Sequence, residues 1–421
     1  MSDATPPLPV AEKTPIPGWY GHEFNDRGMQ IEDPYSEFRE LRERQPVNLT
    51  PEGGWRLSRY EDVHRLLRLV PSGMRLHNGL LPGQEVEQPG AGLFMLLQDP
   101  PNHTRLRKLV SKAFTPRAIE SWRPRIEAIT HSLLDRVADR DTMDLIADLA
   151  RPVPASLICE MLGVPVEDQD KFTQWTTDAT HGLAVVRGFG DEDIRQRVEV
   201  AGSSLLAYFN GLIAERRGKE SDDLLSTLIS AEEEGEKLSE LELLSQSIGL
   251  LIAGFETTIG LIGNGLTTLI QHPDEYQKLR AHPELIESAV EECLRYSGPI
   301  TATVRVLHDD ARFGDYVIPD DSEVIALIGG ANRDPEVFDD PERFDITRYE
   351  KEKGTAPHFS FGGGVHFCLG AHLARLETQS AIGGFVQRFD DLRLLNEKTE
   401  WGRSMFRVPG RIPVTFKEAA V

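Results

Sequence analysis

The stretch His358–Glu377, HFSFGGGVHFCLGAHLARLE, decides how the rest of the chain is read. It sets one cysteine, Cys368, between three consecutive glycines and a run with helical spacing, Leu369, Leu373 and Leu376. Gly362, Gly363 and Gly364 strip side chains from a short loop, so its backbone can come close to another surface. Gly370 does the same just past the cysteine. A helix opening there aims its free N–H groups and positive dipole end at the sulfur. That setting favours thiolate over thiol and lets N–H groups tune the sulfur's electron donation. A phosphate loop is excluded, because no G-K-[S/T] follows and Phe367 breaks the G-x-G-x-x-G spacing. Zinc held by His366, Cys368 and His372 stays open, though no second thiol is clustered there. A buried structural cysteine also stays open, but it leaves the glycines and the helix without a purpose.

Within this stretch, FGGGVHFCLG resembles the haem-binding loop of the cytochrome P-450 family, F-x-x-G-x-[H/R]-x-C-x-G. Phe361, Gly364, His366, Cys368 and Gly370 meet the pattern. The resemblance implies one haem b (iron protoporphyrin IX) per chain, with Cys368 as the iron ligand and Phe361 and Gly364 against the cofactor. It implies a mainly α fold with small β-sheets in a single large domain, residues 31–421, behind a Pro-rich tail, residues 1–30.

Other signatures of the family follow in its order. EECLRY carries Glu292 and Arg295, an i, i+3 pair on one helix face. Alone such a pair reads as a solvated bridge; the resemblance makes it a structural cluster with Arg343 of PERFD as third member. AGFETT lies in a long apolar run whose central Glu256 has to be neutralised, paired or hydrated. In the family this is the oxygen-binding groove, so Gly254 leaves room for dioxygen while Glu256 and Thr257 pass protons to it. Phe255, at the variable position, is expected to shape the pocket. In DPPNHTRLRKLVSKAF, His103 and Arg107 share a helix face. With Arg305 and His366 they match the family's donors to the two haem propionates.

By the same analogy the substrate pocket is lined by Phe94, Met95 and Leu96 before that helix, and by Val185 and Val186. Leu251 and Ala253 join Gly254 in the groove helix, Ile300, Thr301 and Ala302 follow Pro299, and Met405 and Phe406 complete the wall. A mostly apolar lining points to a hydrophobic substrate of modest size, such as a terpenoid, steroid, fatty acid or macrolide. LVPSGMRLHNGLLPGQEVEQPG departs from the family's usual segment at the mouth.

The totals agree. The chain has 421 residues, 39% apolar and 27% charged, as a soluble globular protein has. A net charge of −22 disfavours nucleic acid as partner. Cys159, Cys293 and Cys368 form no C-x-x-C pair, which suits a reducing cytoplasm and excludes a disulfide framework. The N-terminus shows no basic region followed by an apolar run, so no signal peptide or membrane anchor is expected. Ser247–Leu266 is apolar, but a carboxylate at mid-membrane costs about 3 kcal/mol, so a core helix is the better reading. Residues 31 to about 290 read mainly as helices. Strand-like runs stand at GGWRLSRY, TATVRVL, YVIPDDSEVIALI and RIPVTF.

The reading is a monomeric haem-thiolate monooxygenase that puts one oxygen atom of O2 into a C–H bond, by hydroxylation or epoxidation. Three cysteines cannot ligate an iron–sulfur cluster, so electrons are expected from a separate ferredoxin and its reductase. From His103 to Arg117 the chain holds five bases, Arg105, Arg107, Lys108, Lys112 and Arg117, and no acid. They are either a solvated helix face or a docking patch for an acidic redox protein. A peroxide-driven haem-thiolate enzyme and a non-catalytic haem binder or gas sensor remain as rivals.

Overall fold

The computed structural model describes residues 32–50, 53–80, 94–182, 185, 191–218, 223–233, 235–402, 404 and 406–419. The expected tail at 1–30 lies outside them, as do residues 81–90 of the mouth segment. Among the described residues, eleven helices have nine residues or more. They are α1 Tyr35–Arg44, α2 Tyr60–Arg68, α3 Asn102–Ser111, α4 Arg123–Asp135, α5 Pro152–Met161 and α6 Gln169–Thr180. Then come α7 Glu192–Arg216, α8 Glu240–Gln271, α9 Pro273–Ala281, α10 Ile286–Ser297 and α11 Ala371–Arg388. The mainly helical expectation holds.

The small sheets join distant segments, also as expected. A five-stranded sheet runs Val47–Leu49, Trp55–Leu57, Glu323–Ala326, Thr303–Leu307 and Ser72–Gly73 in spatial order. Its one parallel pair is Trp55–Leu57 with Glu323–Ala326. A three-stranded antiparallel sheet sets Pro413–Glu418 between Phe389–Leu394 and Thr142–Asp144. A short pair, Glu400–Trp401 with Pro409–Arg411, returns the chain across the turn at 402–408.

Helix α8 is the axis. Ser239 opens it with a capping box, accepting from the Glu242 N–H while Glu242 accepts from the Ser239 N–H. Beyond that cap, Leu261, Ile262, Leu266 and Leu269 are buried on a helix enclosed by α5, α6, α10 and α11. Each such side chain contributes about 1.5–3 kcal/mol of burial. Length and composition alone would let α8 cross a membrane, yet most of its apolar window is buried inside the protein. It is a core helix. Its middle carries the AGFETT motif, and α10, with EECLRY, and α11, which follows Cys368, pack against it.

Candidate active site

Cys368 lies between the turn Gly364–His366 and the first residue of α11, and its N–H donates to the Phe361 carbonyl at 2.9 Å. Gly364 has φ +65°, and a Cβ there would stand 2.1 Å from the Leu67 carbonyl oxygen. The surface that the glycine run approaches is therefore the end of α2. Gly370 and Gly254 are different, since a Cβ on either would meet nothing within 4 Å. Ala253 and Gly254 are exposed midway along α8, between the buried Leu251 and Phe255, so α8 borders a hollow there.

The sulfur is half-buried. Burial pushes the Cys368 thiol up, against the Gly370 N–H and the charges of Arg107 and Arg375, which pull it down. Desolvation outweighs the helix N-terminus, and a further positive charge is needed to hold the anion. The zinc alternative fails, because among the described residues no three His, Cys, Asp or Glu side chains converge on one point.

Next to this loop His103, Arg107, Arg305 and His366 come together. His103 on α3 is buried, its ring centroid 4.3 Å from that of His366, and burial lowers it to about 4 with the His366 and Arg107 charges adding to the effect. His103 Nδ1 and His366 Nε2 have no hydrogen-bond partner, the latter standing 3.8 Å from Asp99 Oδ1. Arg305 is only 5% exposed and burial brings it down to about 10. It donates to the Val304 carbonyl at 2.7 Å and to Thr303 Oγ1 at 3.3 Å, while no carboxylate of the described residues pairs with it. A buried guanidinium without an ion pair is costly, Asp99 acting on Arg305 only through space, and Arg107 lies close enough to feel Cys368. A flat group with two carboxylates and a metal for the sulfur fits these residues.

In the α8 groove, Thr257 donates to the Ala253 carbonyl at 2.8 Å and Thr258 to that of Gly254 at 2.9 Å. Glu256 turns elsewhere. It is buried, one oxygen lacks a partner, and burial raises it to about 7 against the opposing pull of the Ser404 and Thr180 hydroxyls. It makes no direct bond to Thr257.

The structural cluster needs one correction. All five N–H groups of Arg295 are used: Nε and one Nη bond Glu292 at 2.7 and 2.8 Å, and the rest meet the carbonyls of Asn332, Pro341 and Arg343. The second guanidinium on Glu292 is that of Arg348, with Nε at 3.2 Å, not Arg343. Arg343 is exposed and supplies only its carbonyl, because the turn beyond Pro341 points its side chain outward.

The pocket lining is corrected in part. Leu251 is fully buried and Phe255 is 2% exposed, both in the main core, so neither faces the hollow. Helical rotation gives that face to Leu250, Ala253, Gly254 and Thr257. Phe94 lies on α8, where a Cβ at Gly249 would come 2.3 Å from its ring. Met95 is buried and bonds Gln246 through its N–H, while Leu96 is exposed. Thr301 is buried, and Ile300 and Ala302 pack against the small cores beside the five-stranded sheet. Val185 and Phe406 are half-buried; Val186 and Met405 lie outside the described residues.

Sequence reasoning missed the support under the loop. Glu291 grips Arg375 at 2.6 and 2.8 Å and His358 at 3.2 Å, and these contacts hold its carboxyl at about 2 despite burial. Arg375 in turn lies 4.5 Å over the Phe361 ring. Its spacing of two helical turns from Cys368 was the available signal. Of the basic run, Arg105 is committed to Glu242 and Glu236 of the same molecule, whereas Lys108, Lys112 and Arg117 are exposed.

Known proteins are similar to this chain over most of its length. The family model described as Cytochrome P450 matches residues 57–400. Cytochrome P450 107B1 of Saccharopolyspora erythraea is 42% identical over 388 residues, which is 88% of this chain and 91% of that one. 6-Deoxyerythronolide B hydroxylase of the same organism is 37% identical, over 88% and 92% of the two chains. The structure of P450BioI, in complex with acyl carrier protein ligated to hexadec-9Z-enoic acid, superposes with a TM-score of 0.83 at 36% identity. It covers 91% of this chain and 98% of that one. The chain belongs to the cytochrome P450 family and is a monooxygenase, an oxidoreductase of the haem-thiolate class.

Proposed function

We propose that the enzyme holds one haem b per chain, with Cys368 Sγ on the iron and the propionates among His103, Arg107, Arg305 and His366. It places one atom of O2 into a C–H bond of a hydrophobic small molecule, with electrons from a ferredoxin and its reductase. The observation that carries the reading is the convergence of His103, Arg107, the buried Arg305 and His366, with Asp99 as a nearby carboxylate, beside the Cys368 loop. When bound, the haem supplies oxygen activation, and thiolate donation favours O–O cleavage. The chain's own residues do the rest. Arg305 and Arg107 fix the cofactor's orientation, the Gly370 N–H and Arg375 temper the sulfur, and Gly254 keeps the groove open. Thr257 holds water at the groove, and Glu256, raised to about 7 by burial and so still partly protonated near neutrality, is the proton source.

The half-buried Phe406 and Val185 and the exposed Leu96 and Ala253 support an apolar substrate, and the macrolactone and acyl chain in two relatives' names mark its size range. The test is the carbon monoxide spectrum of the reduced protein. Wild type is expected to show the thiolate-shifted Soret band and Cys368→Ala to lose it. An unchanged spectrum in that variant refutes the assignment. A ligand screen for Soret shifts, followed by turnover with a ferredoxin and reductase, then identifies the substrate class.

A further inference from the structure

Asp99 brings a carboxylate beside a cluster of bases, and its two oxygens are taken by backbone. Oδ1 accepts the Met74 N–H at 2.8 Å and Oδ2 the Arg75 N–H at 3.1 Å. His366 Nε2 stands 3.8 Å from Oδ1. His308 Nε2 stands 3.8 Å from Oδ2 and 3.2 Å from the Arg75 carbonyl oxygen. Burial works against the anion, yet the His366 ring and the two N–H groups hold it below the ordinary carboxylate range.

The register of the five-stranded sheet shows where this grip leads. Ser72 pairs with Leu307 and Gly73 with Val306 in antiparallel order, so the next residue, Met74, comes level with Arg305. The strand ends at Gly73, and Asp99 takes the N–H groups of the two residues that follow. Gly73 has to be small, since a Cβ there would stand 2.3 Å from Asp99 Oδ1. Seated in this way, Met74 places Sδ 3.5 Å from Arg305 Nη1.

Nη1 of Arg305 is therefore held by three partners: the Met74 sulfur, Thr303 Oγ1 and the Val304 carbonyl. Nε and Nη2 of the same guanidinium make no hydrogen bond among the described residues. These two atoms form the edge that takes a carboxylate through two parallel N–H···O bonds. Asp99 leaves that edge alone, because its oxygens are occupied and it acts on Arg305 only through space.

We propose that Asp99 is a positioning residue for Arg305. By gripping the Met74 and Arg75 N–H groups it seats the Met74 thioether on one Nη, so that the guanidinium keeps its Nε–Nη2 edge for a carboxylate of the cofactor. This rests on the assignment of Arg305 to a haem propionate made above. It also accounts for an aspartate among bases meant for carboxylates. An asparagine could accept only one of the two N–H groups and would turn its own NH2 on the other.

The test uses the haem-loaded enzyme, comparing wild type, Asp99→Asn, Met74→Ala and Arg305→Lys, with the two double variants that carry Arg305→Lys. Two quantities are read: the rate of haem transfer to excess apomyoglobin, and the propionate bending band in the resonance Raman spectrum of the ferric enzyme. Asp99→Asn is expected to speed transfer roughly tenfold, as the loss of one charge-assisted bond does, and to shift the band. Met74→Ala, at a half-buried position, should act in the same direction by about threefold. Arg305→Lys keeps the charge but has no planar edge to orient, so both effects should vanish in that background. Effects that persist undiminished with Arg305→Lys overturn the proposal. So does a Met74→Ala enzyme that matches wild type, since Asp99 would then act by its charge alone. Should Asp99→Asn fail to fold, Met74→Ala decides, alone and with Arg305→Lys. If Arg305→Lys leaves both rate and band unchanged, the propionate assignment fails first and this inference with it. If Arg305→Lys alters them while Asp99→Asn and Met74→Ala do not, this inference alone fails.

Discussion

Two arginines five residues apart should respond very differently to truncation. Arg348 carries four hydrogen bonds: Nε to Glu292 at 3.2 Å, and its Nη groups to the carbonyls of Asp339, Asp340 and Arg343 at 2.7, 3.2 and 3.1 Å. The three carbonyls lie where water replaces the lost donor, so they add little. Glu292 has no exposed side-chain surface. After Arg348→Ala it keeps Arg295 and the Asp345 N–H, at 3.0 Å, but loses one of two cations in a place water does not reach. The cost is that of one buried charge-assisted bond, about 2–3 kcal/mol. Arg343→Ala keeps the carbonyl that Arg295 and Arg348 use and removes only an exposed side chain, so its effect stays within about 0.5 kcal/mol. The assay is guanidinium denaturation of the haem-loaded protein, followed by the Soret band and by helical circular dichroism. Arg348→Ala should lower the midpoint and release haem earlier, while Arg343→Ala should overlay wild type. Equal effects, or a larger one at Arg343, would refute the assignment of the second cation.

Three further outcomes follow from the same geometry. Gly364→Ala combines positive-φ strain of about 1 kcal/mol with a clash against the Leu67 carbonyl, so the loop should part from α2 and haem content should fall on purification. Glu291 is held at about 2 against an ordinary 4.5, so its stabilisation is complete above pH 4.5 and is lost as pH falls toward 2. The amount is about 3 kcal/mol, and acid unfolding of Glu291→Gln should be flatter over that range. Thr257→Ala should bind substrate with an unchanged Soret shift yet deliver product per electron pair lower by about tenfold or more, read as the ratio of product to NAD(P)H consumed.

What the sequence made legible were residues whose role depends on backbone position. Cys368, the glycines and the His103/Arg107 pair carry their geometry in their spacing, and the structure places Cys368 at a helix start and the two bases on one face of α3. Long side chains were harder. Arg343 and Arg348 both follow Pro341, and only the path of the turn decides which guanidinium turns inward. On α8 the apolar residues run all round the helix, so periodicity did not separate the face that meets the hollow from the one that meets α5 and α6. Leu251 and Phe255 were assigned to the wrong side for that reason. Glu291 and Arg375 were invisible because each has a plain surface interpretation until α10 and α11 are packed together.

The corrected site also explains why cofactor and fold belong to one equilibrium. Burial drives the Cys368 thiol up, and Arg305 is a buried cation that forms no ion pair among the described residues, Asp99 acting on it only through space. His103, too, is kept neutral well below its usual range. Each of these is a cost to the fold, and one rigid group bringing a cation to the sulfur and anions to the arginines and histidines would offset them together. Binding that relieves several such costs together stabilises the native state by mass action far more than any single contact does. The loop is braced from three sides independently of that group, by Leu67 under Gly364, by Glu291 through Arg375, and by the Glu292 cluster behind α10. Rigid support outside and unmet charge inside are therefore complementary: the first fixes where the ligand must go, and the second makes its arrival favourable.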